Sequence, residues 1–240
     1  MHLNKVEYGS HAGGDIEIAA AAWTSTQINV KNKKPEDIRK LIVDKLWNNH
    51  TGKPHKTPFE RGSVTWIITC DVATHIQLLK HRHANINGES ARYRELKEDK
   101  YYLPEDWAGI ESSTHSFYGE PCSGMTPTTE LGAYHYNKWI DILQDHTERA
   151  NKLYHACLKD LRPILGNERA KESARLFKTY SSQITLSVQM NMSCFSNFVK
   201  LRKTPEAQLE IREIAAKMID VVNNIEGNPF RYTMEAFGLS

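Results

Sequence analysis

The segment from Ser63 to Val72 constrains the fold most strongly, because it reads Ser-Val-Thr-Trp-Ile-Ile-Thr-Cys-Asp-Val and is rich in β-branched and aromatic residues. This composition predicts a β-strand. A second strand is predicted from Ile184 to Met192, where apolar and polar residues alternate as they do in a strand with one solvated face. Segments with the composition or apolar spacing of helices lie before, between and after these strands. The mixture predicts one α+β domain over residues 1–240.

Local signals predict where the other elements begin and end. Asp15 is a candidate N-cap for a helix, Pro35 suits the first turn of another, and Pro163 is expected to end a long one. The stretch from Pro104 to Thr129 is rich in Gly, Pro, Ser and Thr, which predicts a long surface loop or insertion, and Asn228 to Ser240 is expected to be a tail. The other predicted elements are a strand from Leu3 to Tyr8 and helices from Ile16 to Trp23, Pro35 to Trp47, Ala73 to about Lys80, Thr129 to Leu161, Asn167 to Lys178 and Pro205 to Val222, with a short helix through Asn197, Phe198 and Leu201.

Composition limits the class of protein. The chain has 240 residues, 40% of them hydrophobic, and no apolar run of about 18 residues that would predict a transmembrane helix. The N-terminus lacks the apolar segment of a secretion signal, so the expected location is the cytoplasm, or the host cytoplasm if the source is viral. The net charge of +2 argues against nucleic-acid binding through bulk charge. The four cysteines lie far apart and the 11 histidines are scattered, so neither a metal site nor a dense disulfide framework is expected.

The stretch from Gln77 to Tyr93 carries basic side chains with amide, hydroxyl and carboxylate groups between them. No apolar period runs through residues 80–92, so neither a core helix nor a core strand is predicted there. A guanidinium group can pair with phosphate through two parallel hydrogen bonds, which makes arginines natural anion ligands. The stretch is therefore a candidate nucleotide site, although its charge alone fits a solvated surface loop equally well. The candidate arginines of the chain are Arg82, Arg92, Arg175 and Arg202.

Four ordered motifs resemble those of one enzyme family. Lys-His-Arg at residues 80–82, followed after seven residues by Ser90, resembles the Arg-His-Arg, seven residues, Ser signature of flavin-dependent thymidylate synthases. Upstream, His-Lys-Thr-Pro-Phe-Glu at residues 55–60 resembles the family's His-x-Thr/Ser-Pro-Phe-Glu motif. Downstream, Glu-Ser-Ala-Arg at residues 172–175 resembles its Glu-Gln-Ala-Arg segment, and residues 191–211 resemble its Asn-Phe-x-x-Leu-Arg and Ala-Gln-x-Glu-Ile region.

The resemblance implies a fold and a chemistry. The family fold is a single α+β domain with a central mixed or antiparallel sheet and long helices, assembled as a homotetramer with sites shared between subunits. Its members methylate deoxyuridine monophosphate (dUMP) at carbon 5 of the base, with methylenetetrahydrofolate as carbon donor, FAD as hydride carrier and NADPH as reductant. The family needs no enzyme nucleophile, which agrees with the absence of an obvious activated cysteine here.

The resemblance also implies site residues, position by position. Arg202 would be catalytic, because a cation beside the pyrimidine favours the negative charge that develops on the base. Ser90 and Arg92 would hold the nucleotide phosphate, and Arg175 would add a contact to the nucleotide from another subunit. The set implied for the substrate is Gln77, Lys80, Gly88, Glu89, Ser90, Ala91, Arg92, Arg175 and Arg202. The set implied for FAD is His55, Thr57, Lys80, His81, Arg82, Gly88, Asn191, Ser193 and Asn197.

Three ligand positions depart from the family pattern. Lys80 replaces the first arginine of the signature, Gly88 stands where the family often has Glu or Gln, and Ser193 replaces an arginine that commonly contacts the flavin. One alternative is therefore a pyrimidine nucleotide hydroxymethylase acting on dUMP or dCMP, in which water addition replaces the hydride step. Another is a nucleotide-binding or nucleic-acid-binding homologue without catalysis. The basic residues at 31–34 and 39–40 keep this last alternative open, and the retained arginines argue against it.

Overall fold

The computed structural model of the chain describes residues 3–26, 29–112, 116–118, 126–127, 133–135 and 138–240. These residues fall into two compact units. The sheet unit comprises Asn4–Thr69, Ile76–Gly88 and Thr185–Ser240. The helical unit comprises mainly Cys70–His75 and Glu89–Ile184. The assignment of one domain to residues 1–240 stays a prediction.

The described strands and helices are mixed along the chain. In chain order they are β1 (Lys5–Ala12), α1 (Asp15–Thr24), α2 (Pro35–Arg39), β2 (Ser63–Asp71), α3 (Val72–Leu78), β3 (Asn85–Gly88), α4 (Trp139–Leu165), α5 (Asn167–Ala174), β4 (Gln183–Asn191), α6 (Met192–Arg202), α7 (Leu209–Asn223) and α8 (Arg231–Phe237). A π-helix, Lys40–Trp47, continues α2, and short 3-10 helices span Val30–Asn32, Thr57–Arg61, Glu105–Trp107 and Arg175–Phe177. Short antiparallel strands lie at Ser116–Tyr118, Thr126–Pro127 and Ala133–His135.

The main sheet has the strand order β1-β2-β4-β3. β1 runs antiparallel to β2, with Val6 opposite Ile68, and β3 runs antiparallel to β4, with Gly88 opposite Leu186. Alternate side chains of β2 are buried, as expected of a strand that packs one face on a core. Both long strands predicted from the sequence are confirmed, and so is the α+β class. The edge strand β3 lies within the charged stretch that begins at Gln77.

The core of the sheet unit forms around β2, α6 and α7. Trp66 of β2 is fully buried, and its ring centroid lies 5.0 Å from that of Phe195 on α6. The Trp66 indole N–H donates to the backbone oxygen of Met218 on α7 at 3.2 Å. α7 places its buried residues three or four positions apart, which is the spacing of one helix face. This packing holds α6, and with it Arg202, in a fixed position on the sheet.

α4 and α5 form the core of the helical unit. Tyr154 and Leu158 of α4 pack with Ala170 and Ala174 of α5, and all four side chains are buried. The Tyr154 hydroxyl oxygen accepts a hydrogen bond from the backbone N–H of Leu96 at 3.0 Å. This bond ties the segment that follows the charged stretch onto α4.

The long helix predicted from Thr129 to Leu161 begins and ends elsewhere. α4 begins only at Trp139, and Ala133–His135 is a strand. The helix also continues past Pro163, because a proline in a helix removes one backbone hydrogen bond without preventing the following residues from adopting helical angles. α4 ends before Gly166, whose φ of 78° lies outside the helical region.

The predicted tail from Asn228 to Ser240 is wrong, because these residues include α8. Asp15, predicted as the N-cap of α1, caps α8 instead. Its carboxylate accepts hydrogen bonds from the backbone N–H groups of Tyr232 at 2.6 Å and Thr233 at 3.0 Å, and from the Thr233 hydroxyl at 2.7 Å. These N–H groups lie in the first turn of α8, where a helix offers them no partner. Gly14 occupies the N-cap position of α1 without a side-chain hydrogen bond.

Two other predictions need smaller corrections. The helix predicted from Pro35 to Trp47 is helical throughout, but from Lys40 it has π-helical hydrogen bonding. The loop predicted from Pro104 to Thr129 lies partly outside the described residues. Its described part includes one turn of 3-10 helix after Pro104.

The cap at Asp15 leads to a pH prediction. Burial raises the pKa of the Asp15 carboxyl, against the hydrogen bonds from residues 232 and 233, which lower it. Between the ordinary Asp pKa of about 3.9 and the raised pKa, the folded protein holds a proton that the unfolded chain releases, so the free energy of unfolding falls as pH rises. We expect Asp15→Asn to remove this fall. In urea titrations the stability of the variant relative to the wild type should increase with pH across that window, and a constant difference would contradict the assignment.

Candidate functional site

Arg202 and His81 are in contact, although they are 121 positions apart in the chain. Arg202 is the last residue of α6, and His81 lies in the turn that follows α3. The Arg202 Nε–H donates to His81 Nε2 at 2.9 Å. The imidazole packs edge-on against Phe198, with ring centroids 4.8 Å apart and an interplanar angle of 74°. Two motifs predicted to share a site are thus joined within the sheet unit.

This contact fixes the protonation state of His81. Because Nε2 accepts a hydrogen bond, the neutral ring carries its proton on Nδ1. Burial and, next, the positive charge of Arg202 lower the pKa of His81. The imidazole is therefore neutral at pH 7, and Arg202 is the charged member of the pair.

The amide of Gln77 is held by the chain segment before α7. Its nitrogen donates to the side-chain oxygen of Gln208, and the Gln208 nitrogen donates to Glu210 at 2.7 Å. A side chain fixed in this way presents its remaining donor and acceptor in one orientation, as recognition of a base edge requires.

Lys80 and Arg82, on either side of His81, have exposed side chains. Neither forms an ion pair with a carboxylate in the described part of the chain. His55 and Thr57 are also exposed; the His55 backbone N–H donates to the π-helix at 2.8 Å, and Thr57 begins a 3-10 helix. These four residues offer two cations, an imidazole and a hydroxyl to a ligand.

The first half of α6 carries the other cofactor candidates. Asn191 caps the helix, because its side-chain oxygen accepts a hydrogen bond from the backbone N–H of Cys194 at 2.8 Å. Ser193 is buried. Asn197 is exposed, and its side-chain oxygen accepts a hydrogen bond from the Lys56 ammonium.

Gly88 is the last residue of β3 and lies opposite Leu186 of β4. A Cβ atom at this position would lie 2.7 Å from Cδ2 of Leu186 on β4. A Glu or Gln here would therefore require the Leu186 side chain to move, whereas glycine leaves that side chain in place.

In the helical unit, residues 89–92 enter a turn. The Ser90 backbone oxygen accepts a hydrogen bond from the Arg94 N–H at 3.0 Å, and its hydroxyl oxygen accepts one from the Arg92 N–H at 3.3 Å. Glu89 forms an ion pair with Arg94 at 2.6 Å. Ala91 lies between these residues with a partly exposed side chain.

Arg92, the predicted phosphate ligand, already has a carboxylate partner. Its Nε lies 2.6 Å from Oε1 of Glu172, and its side chain is 51% exposed. Glu172 also pairs with Arg169 at 3.4 Å. Arg175 directly follows α5, as the first residue of the 3-10 helix Arg175–Phe177, and it is exposed and forms no ion pair among the described residues. No described hydrogen bond or ion pair joins Arg92 to Arg175.

Three contacts in the site were not predicted from the sequence. They involve Lys56, which holds Asn197, Gln208, which holds Gln77, and Glu172, which neutralises Arg92. All three residues lie inside motifs noted in the sequence. The sequence did not show which of these residues contact each other, because a motif identifies candidate residues and not their contacts.

The cofactor candidates of the sheet unit fit a flavin by their chemistry. Exposed cations without carboxylate partners, such as Lys80 and Arg82, suit a pyrophosphate group. The hydroxyl of Thr57 and the amide of Asn197 suit the hydrogen-bonding groups of a ribose or a flavin ring. No cluster of three or more His, Cys, Asp and Glu side chains suited to a metal ion occurs in the ranges described above. None of the helices described has the length and hydrophobicity that a membrane crossing requires.

Comparison with known proteins finds relatives over most of the chain. The family described as "Thymidylate synthase complementing protein" matches residues 8–226. The flavin-dependent thymidylate synthase of Rickettsia bellii is 31% identical over 233 residues, covering 95% of this chain and 73% of that protein. The enzyme of the same name from Treponema pallidum is 25% identical over 215 residues, covering 90% of this chain and 64% of that protein.

A solved structure has the same fold. It is the UMP/dUMP methylase PolB from Streptomyces cacaoi bound with 5-Br dUMP, with a TM-score of 0.71 and 24% identity, covering 99% of this chain and 96% of that chain. The range matched by the family includes all four of the motifs noted in the sequence. This chain therefore belongs to the flavin-dependent thymidylate synthase family.

Proposed function

We propose that this chain transfers a one-carbon unit from methylenetetrahydrofolate to carbon 5 of a pyrimidine deoxynucleotide, and that its main reaction is the methylation of dUMP to dTMP with NADPH as reductant. Bound FAD would supply the hydride that converts the transferred methylene group into a methyl group. The observation that carries the proposal is the contact between Arg202 and a neutral His81.

Arg202 has the properties that the reaction asks of an electrostatic catalyst. Carbon 5 can attack the donor only as negative charge develops on the pyrimidine, and a fixed cation beside the ring stabilises that charge. The bond from Nε to His81 fixes the guanidinium plane and leaves the two terminal nitrogens to face a ligand. A protonated His81 could not accept this bond, so its lowered pKa keeps Arg202 in place.

The nucleotide and cofactor would be held by the residues described above. Ser90 and Arg92 would bind the phosphate, with Arg175 contributed by another subunit of a homotetramer. Gln77 would contact the base through its fixed amide, and Gly88, Glu89 and Ala91 would line the nucleotide. The proposed FAD ligands are His55, Thr57, Lys80, His81, Arg82, Gly88, Asn191, Ser193 and Asn197, of which Lys80 would also lie near the substrate.

The product distinguishes the proposal from its alternatives. We would incubate the protein with FAD, NADPH, methylenetetrahydrofolate and one of dUMP, dCMP or UMP, and measure the mass of the nucleotide product. UMP is included because the structurally similar PolB is named for both nucleotides. A methyl group added to dUMP supports the proposal. A hydroxymethyl product, or a product from dCMP alone, contradicts it and favours a changed reaction, and protein that binds nucleotide without product favours a binding protein.

Arg92 leads to a binding prediction. We expect Arg92→Ala to weaken dUMP binding by about 1.5–3 kcal/mol, the usual contribution of a charge-assisted hydrogen bond. The pair with Glu172 is half-exposed and contributes at most about 1 kcal/mol, so phosphate can displace it. Glu172→Gln should therefore strengthen dUMP binding by up to about fivefold. Isothermal titration measures both changes.

A charge-matched control separates this effect from bulk electrostatics. Lys97 is exposed in the same unit and forms no ion pair within the described ranges, so Lys97→Ala removes one positive charge elsewhere. If Lys97→Ala weakened dUMP binding as much as Arg92→Ala, the phosphate assignment would be wrong.

The pKa of His81 gives a further prediction. Removing the charge of Arg202 removes one of the two causes that lower this pKa, and burial remains. We expect Arg202→Gln to raise the pKa of His81 without restoring its ordinary value of about 6.5. Titration of the imidazole resonance by NMR measures the change. A pKa that is the same in both proteins would show that Arg202 does not act on His81.

A further inference from the structure

A cavity of about 550 Å³ opens in the sheet unit beside α6, and the proposed function does not use it. Its apolar wall includes Trp47 at the end of the π-helix and Phe237 at the end of α8, whose ring centroids lie 4.5 Å apart. Its polar wall includes Lys56, Lys200 and Lys203. A volume of this size is typical of sites for small organic ligands.

The three lysines bring positive charge to one cavity without a compensating acid. No Asp or Glu lines the cavity, and none of the three lysines forms an ion pair among the described residues. Within the described ranges, Lys56 donates to two neutral groups, the amide oxygen of Asn197 and, at 3.5 Å, the hydroxyl oxygen of Ser196. Burial and then the nearby charge of Lys200 lower the pKa of Lys56. An anion in the cavity would relieve this repulsion.

The aromatic wall suits a planar ring. Lys56 Nζ already lies 5.5 Å from the centroid of Trp47, so the cationic and aromatic walls meet at one corner of the cavity. Lysine ammonium groups bind phosphate as point charges, and aromatic faces stack on nucleobases. A ligand that satisfies both walls has a ring at one end and phosphate at the other.

We propose that this cavity is a second nucleotide site, which takes a nucleoside phosphate with its ring against Trp47 and Phe237 and its phosphates at Lys56, Lys200 and Lys203. It shares no lining residue with the pair of Arg202 and His81. Lys56 of this cavity also donates to Asn197, a proposed FAD ligand, so the cavity adjoins the proposed cofactor residues, and competition with FAD tests whether the two sites are distinct.

The test uses the full chain, with and without saturating FAD, and ADP as the probe in isothermal titration. We expect ADP to bind in both conditions, and adenosine and pyrophosphate, which each contact only one wall, to bind at least tenfold more weakly. The double variant Lys200→Ala/Lys203→Ala should weaken ADP binding at least tenfold. Competition between FAD and ADP would assign the cavity to the cofactor site and overturn the proposal.

Two controls make the result specific. Lys40→Ala/Lys45→Ala removes the same charge from exposed positions of the same unit, and Arg92→Ala alters the proposed phosphate ligand of the substrate. Both should leave ADP affinity within twofold of wild type. If the first control lost as much ADP affinity as Lys200→Ala/Lys203→Ala, the effect would be one of bulk charge. If the second control lost ADP affinity, ADP would be bound at the substrate site. Either result, or no ADP binding at all, rejects a second site. Failure to bind FAD would count against the proposed function. The ADP affinities of the wild type and the Lys200→Ala/Lys203→Ala variant, measured without FAD, would still test the second site.

Discussion

Arg202→Ala is expected to lower the turnover of dUMP about 10²–10³-fold, which is the usual effect of removing one preorganised group that stabilises developing negative charge. The same variant should retain FAD, because the proposed cofactor ligands of α6 lie in the first half of the helix and keep their contacts. Single-turnover formation of dTMP measures the chemical step, and the absorbance of bound flavin measures retention.

Two variants test whether the effect of Arg202 on turnover depends on its charge alone or also on the geometry of its guanidinium group. Arg202→Lys keeps the charge but loses the planar group whose Nε donates to His81, so we expect it to recover only a small part of the lost activity. Arg231→Ala removes an exposed arginine in the same unit and should have no effect. An Arg202→Ala protein with more than a tenth of wild-type turnover would remove Arg202 from the mechanism. Loss of flavin together with activity would instead make Arg202 a structural residue.

The main strands were predictable because their signals are local. β2 shows a continuous run of β-branched and aromatic residues, and β4 alternates apolar and polar residues along its length. Each pattern identifies a strand from its own residues, without knowledge of the strands that pair with it. The spacing of apolar residues predicts α7 for the same reason, although its first turn begins at Leu209 rather than Pro205.

The elements predicted wrongly depend on distant residues. α8 contains only seven residues and is stabilised by Asp15, which lies 217 positions before Tyr232 in the chain. Its buried residues, such as Met234, contact a core whose composition the tail alone does not reveal. The end of α4 was also predicted wrongly. Proline often ends a helix, but the residues after Pro163 remain helical as far as Leu165.

The candidate site also combines features that local sequence indicates with features that depend on distant contacts. The motifs name His81 and Arg202 as functional, but their direct contact, and the neutral imidazole that follows from it, depend on how the turn that carries His81 packs against α6. Likewise, nothing in the sequence indicates that Arg92 is paired with Glu172. Resemblance therefore named the candidate residues, whose roles stay predictions, whereas the partner of each residue and the neutral state of His81 required the folded chain.

Phe198→Ala is expected to produce the largest loss of stability that we predict, about 3–5 kcal/mol of the free energy of unfolding. Phe198 is fully buried in α6 and forms the edge-on contact with His81, so truncation leaves a cavity directly behind the imidazole. Typical domains are stable by only about 5–15 kcal/mol, so the variant should unfold at much lower urea concentration. Phe198→Leu fills most of the space and should cost less than half as much. If Phe198→Ala lost less than about 1 kcal/mol, the ring would not be part of the core that positions His81, and the link between the packing of α6 and the alignment of Arg202 would have to be abandoned.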